Sequence, residues 1–264
     1  MKINILYEDK DLMVLDKPAG IAVHSDGKNK KEKTVADWIL ENYPKLENVG
    51  EPMEIEYKGE QIKISRPGIV HRLDKETSGA LLVAKNPKTF LFLKEQFQNH
   101  KIKKAYRAFV YGFVTDPKAS LATGKRGIIN APIGRSSNDI RAYTAGRGAK
   151  EPIREATTEY IILKKFSDTD TDSLENKQEH QFTYIEVYPK TGRTHQIRVH
   201  MRYINHPVVS DPIYAGVREK ALGMNRLALH AYSVTFLLQN GEQKTVESPL
   251  PNDFKKVIKS FNLE

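Results

Sequence analysis

The chain has 264 residues, no cysteine, and a formal net charge of +9 from 42 Lys and Arg against 33 Asp and Glu. A hydrophobic fraction of 39% can bury a substantial core, while the missing cysteines exclude disulfides, thiolate metal sites and thiol nucleophiles. The positive balance favours a polyanionic partner through steering and counterion release, and the lack of a signal-peptide core or a membrane-length apolar run leads us to expect a cytoplasmic protein without membrane contact.

In chain order, residues 3 to 24 read as a strand, a turn at Glu8-Asp9-Lys10-Asp11, a second strand Leu12 to Leu15, and a turn at Lys17-Pro18-Ala19-Gly20. Thr34 and Asp37 have the spacing of a capping box, followed by Val35, Trp38, Ile39 and Tyr43 on one helical face, with Trp38 expected in the core. Glu54 to Ser65 alternates around Lys58-Gly59 and predicts a hairpin. The stretch Arg66 to Lys85 then sets a run of polar and charged residues between two β-type runs, Ile69-Val70 and Ala80 to Ala84, with Thr77-Ser78-Gly79 as turn residues. Such a loop, held at the ends of buried backbone, suits the display of chemistry, although Asp74 and Ser78 are also ordinary turn residues.

Asn86-Pro87 reads as an N-cap and first helical position, and Phe90, Leu93 and Phe97 form the buried stripe of the helix that follows. Lys101 to Val114 carries apolar residues on both faces and predicts an interior strand. From Lys94 to Lys150 twelve Lys or Arg stand against Glu95, Asp116 and Asp139, interleaved with aromatics, so part of this segment is read as a wall facing a polyanionic partner. Gly124 to Gly148 within it reads as a loop that orders on that partner, and residues 168–180, rich in carboxylates, as an acidic surface insertion. Phe182 to Tyr188 is a strand, Thr194 the expected N-cap of a helix through Ile204, Arg226 to Leu238 with Lys244 to Glu247 a hairpin around Asn240-Gly241, and Phe254, Val257, Ile258 and Phe261 the apolar side of a last helix. On the Thr194 helix Ile197, Met201 and Ile204 should face the core, with His195, Arg198 and Arg202 opposite.

Neither Gly-x-Gly-x-x-Gly nor a phosphate-binding P-loop is present, so nucleotide hydrolysis is not expected. His195 and His200, five apart, do not form a helical metal pair, and His200 is read as a core hydrogen-bonding group.

Arg66-Pro-Gly-Ile-Val-His-Arg-Leu-Asp-Lys-Glu-Thr-Ser-Gly79 resembles the catalytic motif of the RluA-type pseudouridine synthases, which isomerise uridine in RNA to its C-glycoside. Leu15-Asp-Lys-Pro-Ala-Gly-Ile-Ala-Val-His24 and Pro189-Lys-Thr-Gly-Arg-Thr-His-Gln-Ile-Arg-Val-His-Met201 fit the same family in order and spacing. The resemblance implies an α+β fold: a mixed, largely antiparallel sheet with flanking helices and a central basic cleft, in a single catalytic domain spanning 1–264 without an N-terminal S4 segment. It implies a catalytic Asp74, with Arg198 holding that carboxylate ionised and Tyr106 stacking on the uracil. Arg72 matches the arginine that fills the space vacated by the extruded base. His71, Thr77, Arg193 and His195 are expected beside the RNA, and Lys17 either supports the loop or meets phosphate. Structured RNA, either tRNA or rRNA, is the expected partner of a monomer, with no metal and no cofactor. Glu76 and Ser210 depart from the family's more usual Asp and Gly. A non-catalytic RNA binder and a glycoside hydrolase are the competing classes; the second wants two carboxylates across a cleft, and only Asp74 has a motif around it.

Overall fold

The computed structural model describes residues 1–27, 32–57, 59–115, 126–169 and 179–263. In chain order the strands and α-helices are β1 (Asn4–Glu8), β2 (Leu12–Lys17), α1 (Val35–Asn42), β3 (Met53–Tyr57), β4 (Glu60–Ile64), β5 (Ser78–Ala84), α2 (Pro87–Gln98), β6 (Lys103–Tyr111), β7 (Gly127–Asn130), β8 (Ile133–Ser136), β9 (Tyr143–Ala145), β10 (Ala149–Arg154), β11 (Thr157–Thr169), β12 (Glu179–Pro189), α3 (Gln196–Tyr203), β13 (Leu229–Leu237), β14 (Gln243–Glu247) and α4 (Asn252–Ser260). The chain divides into two compact units, Met1–Lys104 with Ala231–Pro249 and Ala105–His230 with Leu250–Glu264. The α+β class, with antiparallel pairing dominant, is as the sequence implies.

In the first unit, β1, β2, β5 and β13 are successive neighbours, and β14 pairs with β13. All seven residues of β5 are buried, as expected for a continuous apolar run covered on both faces. That strand begins at Ser78, two residues before the apolar run, because β2 pairs along it from Leu12 opposite Ala84 to Lys17 opposite Gly79. Gly79 is required here: a Cβ would lie 2.2 Å from the Ala231 carbonyl oxygen. The predicted capping box forms, with Asp37 N–H on the Thr34 hydroxyl and Thr34 N–H on the Asp37 carboxylate. Asn86 caps α2 through the Thr89 N–H, and Phe90 and Leu93 are buried beneath it.

In the second unit β6, β12, β11 and β7 follow one another. Phe109, Phe182, Ile185, Val187, Met201 and Phe254 lie in its core. The interior character of β6 holds, with β12 pairing along it and Phe109 also bonded to Val209 and Ala228.

Two expectations need correction. The described part of Gly124 to Gly148 is not a loop but supplies β7, β8 and β9, and β8 and β9 join β10 in a three-stranded sheet. Its buried side chains are Ile129, Ala131, Ile133, Ala142 and Ala145, small or isolated, and Gly134 allows an approach in which a Cβ would sit 2.5 Å from the Lys150 carbonyl. Strands of that composition lack the alternating apolar signal. The α3 helix begins at Gln196 rather than after a Thr194 cap: the Gln196 side-chain oxygen accepts from the Arg193 N–H and the Thr191 hydroxyl, ordering the turn, while His195 enters the helix at φ 56°.

Of the expected acidic insertion, Asp168 and His180 lie opposite each other in the β11–β12 ladder, and residues 170–178 are outside the described residues. Lys118 and Lys125 of the expected basic wall are likewise outside them. Among the described residues no helix is long and apolar enough to cross a membrane.

Candidate active site

In the first unit the polar loop leaves β5 by a short ladder: Ala84 N–H donates to the Gly68 carbonyl and Ile69 bridges Val83. Asp74 is half-buried and its carbonyl accepts the Thr77 N–H over 3.1 Å, closing a turn; Thr77 itself is buried and Arg72 is exposed. The β2–β5 register carries the first motif alongside. There Lys17, fully buried, directs its ammonium to the carbonyls of Pro18 (2.9 Å), Ile21 (2.8 Å) and Lys75 (3.0 Å). Gly20 N–H donates to the same Lys75 carbonyl. Three carbonyl dipoles stand in for the water an ammonium loses on burial, which is the loop-supporting alternative for Lys17, since a wholly buried side chain presents no surface to phosphate.

His71, half-buried, accepts the Leu82 N–H at Nε2 over 2.9 Å and stacks on Phe97 with ring centroids 4.8 Å apart. Burial, aided by the nearby Lys104 charge, pushes its pKa down to about 3. Burial also lowers Lys104, to about 8. His24, at the end of the first motif, is held below its usual value mainly by burial, with Arg72 and Arg66 adding to the effect.

In the second unit Arg198 is buried on α3 and bonds Asp211 in a fork, Nε to Oδ2 at 2.7 Å and Nη2 to Oδ1 at 2.9 Å. Asp211 also accepts the Ile213 and Tyr214 N–H groups, and the Arg198 guanidinium lies 4.9 Å from the Tyr214 ring centroid. The Tyr214 hydroxyl in turn meets His195 Nδ1 and the Tyr143 N–H, both at 2.9 Å. His195 is thus tied to the Arg198 cluster while adopting a left-handed backbone unusual for a non-glycine residue. Arg193 donates to the Glu155 carbonyl, and His200 is buried between Thr158 and the Ala131 carbonyl as a core group. Tyr106, half-buried on β6, stands opposite Val187 and packs on the unit's core.

Asp211 and Tyr214 were missed by the sequence reading. The signal available was Ser210 beside Asp211: it occupies φ 57°, where glycine is favoured, and its hydroxyl donates to the Met224 carbonyl. Left-handed backbone there turns Asp211 toward α3.

Comparison with known proteins agrees with the motifs. The family described as RNA pseudouridylate synthase matches residues 11–203. The RNA pseudouridine synthase YlyB of Bacillus subtilis, named as uncharacterized, is 35% identical over 262 residues, covering 99% of this chain and 73% of that protein. Ribosomal large subunit pseudouridine synthase D of Borreliella burgdorferi is 33% identical over 259 residues, covering 98% and 68%. The solved structure of human RNA pseudouridylate synthase domain containing 1 superposes with a TM-score of 0.68 at 24% identity, over 95% of this chain and 84% of that one, a likeness that speaks for the fold. The chain belongs to the RNA pseudouridine synthases and is an isomerase acting on RNA. Within them it is of the RluA type.

Proposed function

We propose that the chain works as one monomeric catalytic domain that converts uridine to pseudouridine in ribosomal RNA, with Asp74 as the reacting carboxylate. The isomerisation breaks the N1–C1′ bond, joins C5 to C1′, removes the C5 proton and leaves a proton on N1, so atoms balance with no external reagent. Asp74 begins it, by attack at the sugar or by taking a ribose proton. Tyr106 stacks on the uracil and Arg198 keeps the carboxylate charged. Exposed Arg72 occupies the vacated stack, with Arg193 and His195 beside the RNA, in a basic cleft that belongs to the same proposal. Lys17, Thr77 and His71 support the loop instead.

The observation that carries this reading is the anchoring of the Asp74 turn, whose next carbonyl is held by Lys17 and Gly20. A polar loop fixed on buried strands is the rigid support that positioned chemistry needs. The ribosomal substrate is suggested by relatives named for the large ribosomal subunit.

The test is incubation of wild-type protein and Asp74→Asn with large-subunit rRNA and with tRNA transcripts, followed by mapping of pseudouridine. Wild type should modify the rRNA, and the variant should bind it equally and modify nothing. Modification of tRNA alone overturns the rRNA assignment. Turnover by the variant removes Asp74 from the chemistry, and release of free uracil would move the protein to the glycoside hydrolases.

A further inference from the structure

His71 lies three residues before Asp74, yet its ring is turned to the sheet. Alternate residues of a strand present their N–H groups to the same edge. On that edge of β5, Ala84 N–H meets the Gly68 carbonyl in an ordinary backbone bond. The chain then bridges Val83 through Ile69 and departs. The next N–H along the edge belongs to Leu82, which is fully buried, and the departing backbone no longer offers it a carbonyl; His71 Nε2 takes that place at 2.9 Å. A buried N–H left without an acceptor is costly, so the bond fixes where the loop leaves the strand.

We infer that His71 is a positioning residue, whose neutral imidazole substitutes for a backbone carbonyl at Leu82 and so sets the path of the Arg72–Asp74 loop. The inference rests on Asp74 being the catalytic carboxylate. With Nε2 as acceptor the ring proton belongs on Nδ1. Protonation of the ring would set one N–H against another and break the clamp. Burial and the Lys104 ammonium both disfavour that cation, and the flat face of Phe97 at 4.8 Å holds the ring's plane. Downstream of Asp74 the Lys75 carbonyl is fixed by Lys17, so the loop is gripped on both sides of the carboxylate.

The experiment compares His71→Gln, whose amide oxygen can accept from Leu82, with His71→Phe, which keeps the stack on Phe97 but has no acceptor. The readouts are single-turnover rate at saturating enzyme, RNA Kd, and hydrogen exchange at the Leu82 amide. The glutamine variant should stay within about threefold of wild type, while phenylalanine should lose roughly a hundredfold in rate, the scale of a small misplacement, with Kd unchanged and Leu82 exchanging faster. Phenylalanine at wild-type rate, or a loss confined to Kd, overturns the inference. Should both variants fold poorly, the imidazole nitrogen shifts of the wild-type protein decide: an Nδ1-protonated ring that stays neutral at pH 5 is expected, and an Nε2-protonated ring, or titration near 6.5, refutes it. That measurement needs no activity, so a failure of the Asp74 reading, seen as turnover by Asp74→Asn, is distinguishable from a failure of this one.

Discussion

Lys17 Nζ donates to the carbonyl of Lys75 over 3.0 Å, so a side chain from the first motif holds the backbone one residue beyond Asp74. The same ammonium bonds two carbonyls of its own turn, and β2–β5 pairing sets Lys17 opposite Gly79. Two motifs some sixty residues apart in sequence therefore form one piece of backbone. Lys17→Met should cost about 3 kcal/mol, because three carbonyls lose a charged donor at once. Urea denaturation measures it. A variant of unchanged stability but with weaker RNA binding and a shallower salt dependence would mean that the ammonium serves phosphate instead.

Arg198 and Asp211 form a forked pair with side chains 5% and 0% exposed. Removing one partner strands the other's charge away from water, so Arg198→Met and Asp211→Asn should each cost about 3 kcal/mol. The double variant should be more stable than the sum implies, with a coupling above about 1 kcal/mol, because the carboxylate left behind by the first change is neutralised by the second. Asp211→Asn should also slow single-turnover catalysis more than it weakens RNA binding. Strictly additive stabilities would show that the fork contributes nothing beyond its two members.

His71, packed between the sheet and Phe97, gives stability a dependence on acid. Its folded pKa is pushed from 6.5 to about 3, so between those values the unfolded chain binds a proton that the native chain does not. The contribution is complete above 6.5 and is lost as pH falls toward 3. From pH 7 to 5 the loss should be about 2 kcal/mol. The comparison is of wild type with His71→Gln by urea unfolding at both pH values; the variant, lacking the titrating ring, should lose less by about that amount. Equal losses would place the imidazole in contact with water.

The β11–β12 ladder continues to Thr169 opposite Glu179, so the residues that flank segment 170–178 lie side by side. Replacing that segment with a two-residue Asn-Gly turn should leave melting temperature and turnover unchanged, since hairpin closure needs no more than such a turn. Lost activity at an unchanged melting temperature would give the acidic segment a role in substrate or partner recognition.

The sequence by itself determined the class of this protein. Three long motifs in fixed order carry enough residue identities to specify a family, and strong local signals placed the Thr34 capping box, the Asn86–Pro87 start of α2, the apolar interior of β5 and β6, and the Asn240-Gly241 hairpin. These follow from interactions within a few residues, or from a run of apolar side chains, and need no knowledge of distant neighbours. What only the tertiary structure decided was the partner of each polar group. Lys17, His71 and Arg198 are all cations or potential cations in a basic chain, and sequence alone left Lys17 between loop support and phosphate, set His71 toward RNA and set Arg198 toward Asp74. Folding gives Lys17 three carbonyls, His71 a backbone N–H, and Arg198 the carboxylate of Asp211, thirteen residues on, partners that no motif spacing reports. The order within Gly124 to Gly148 was hidden for the same reason. Glycine and arginine leave no periodic pattern, and β8 becomes a strand through pairing with β9 and β10, which local propensity does not report. A buried polar group must find a partner, and which partner it finds depends on where strands distant in sequence are brought together.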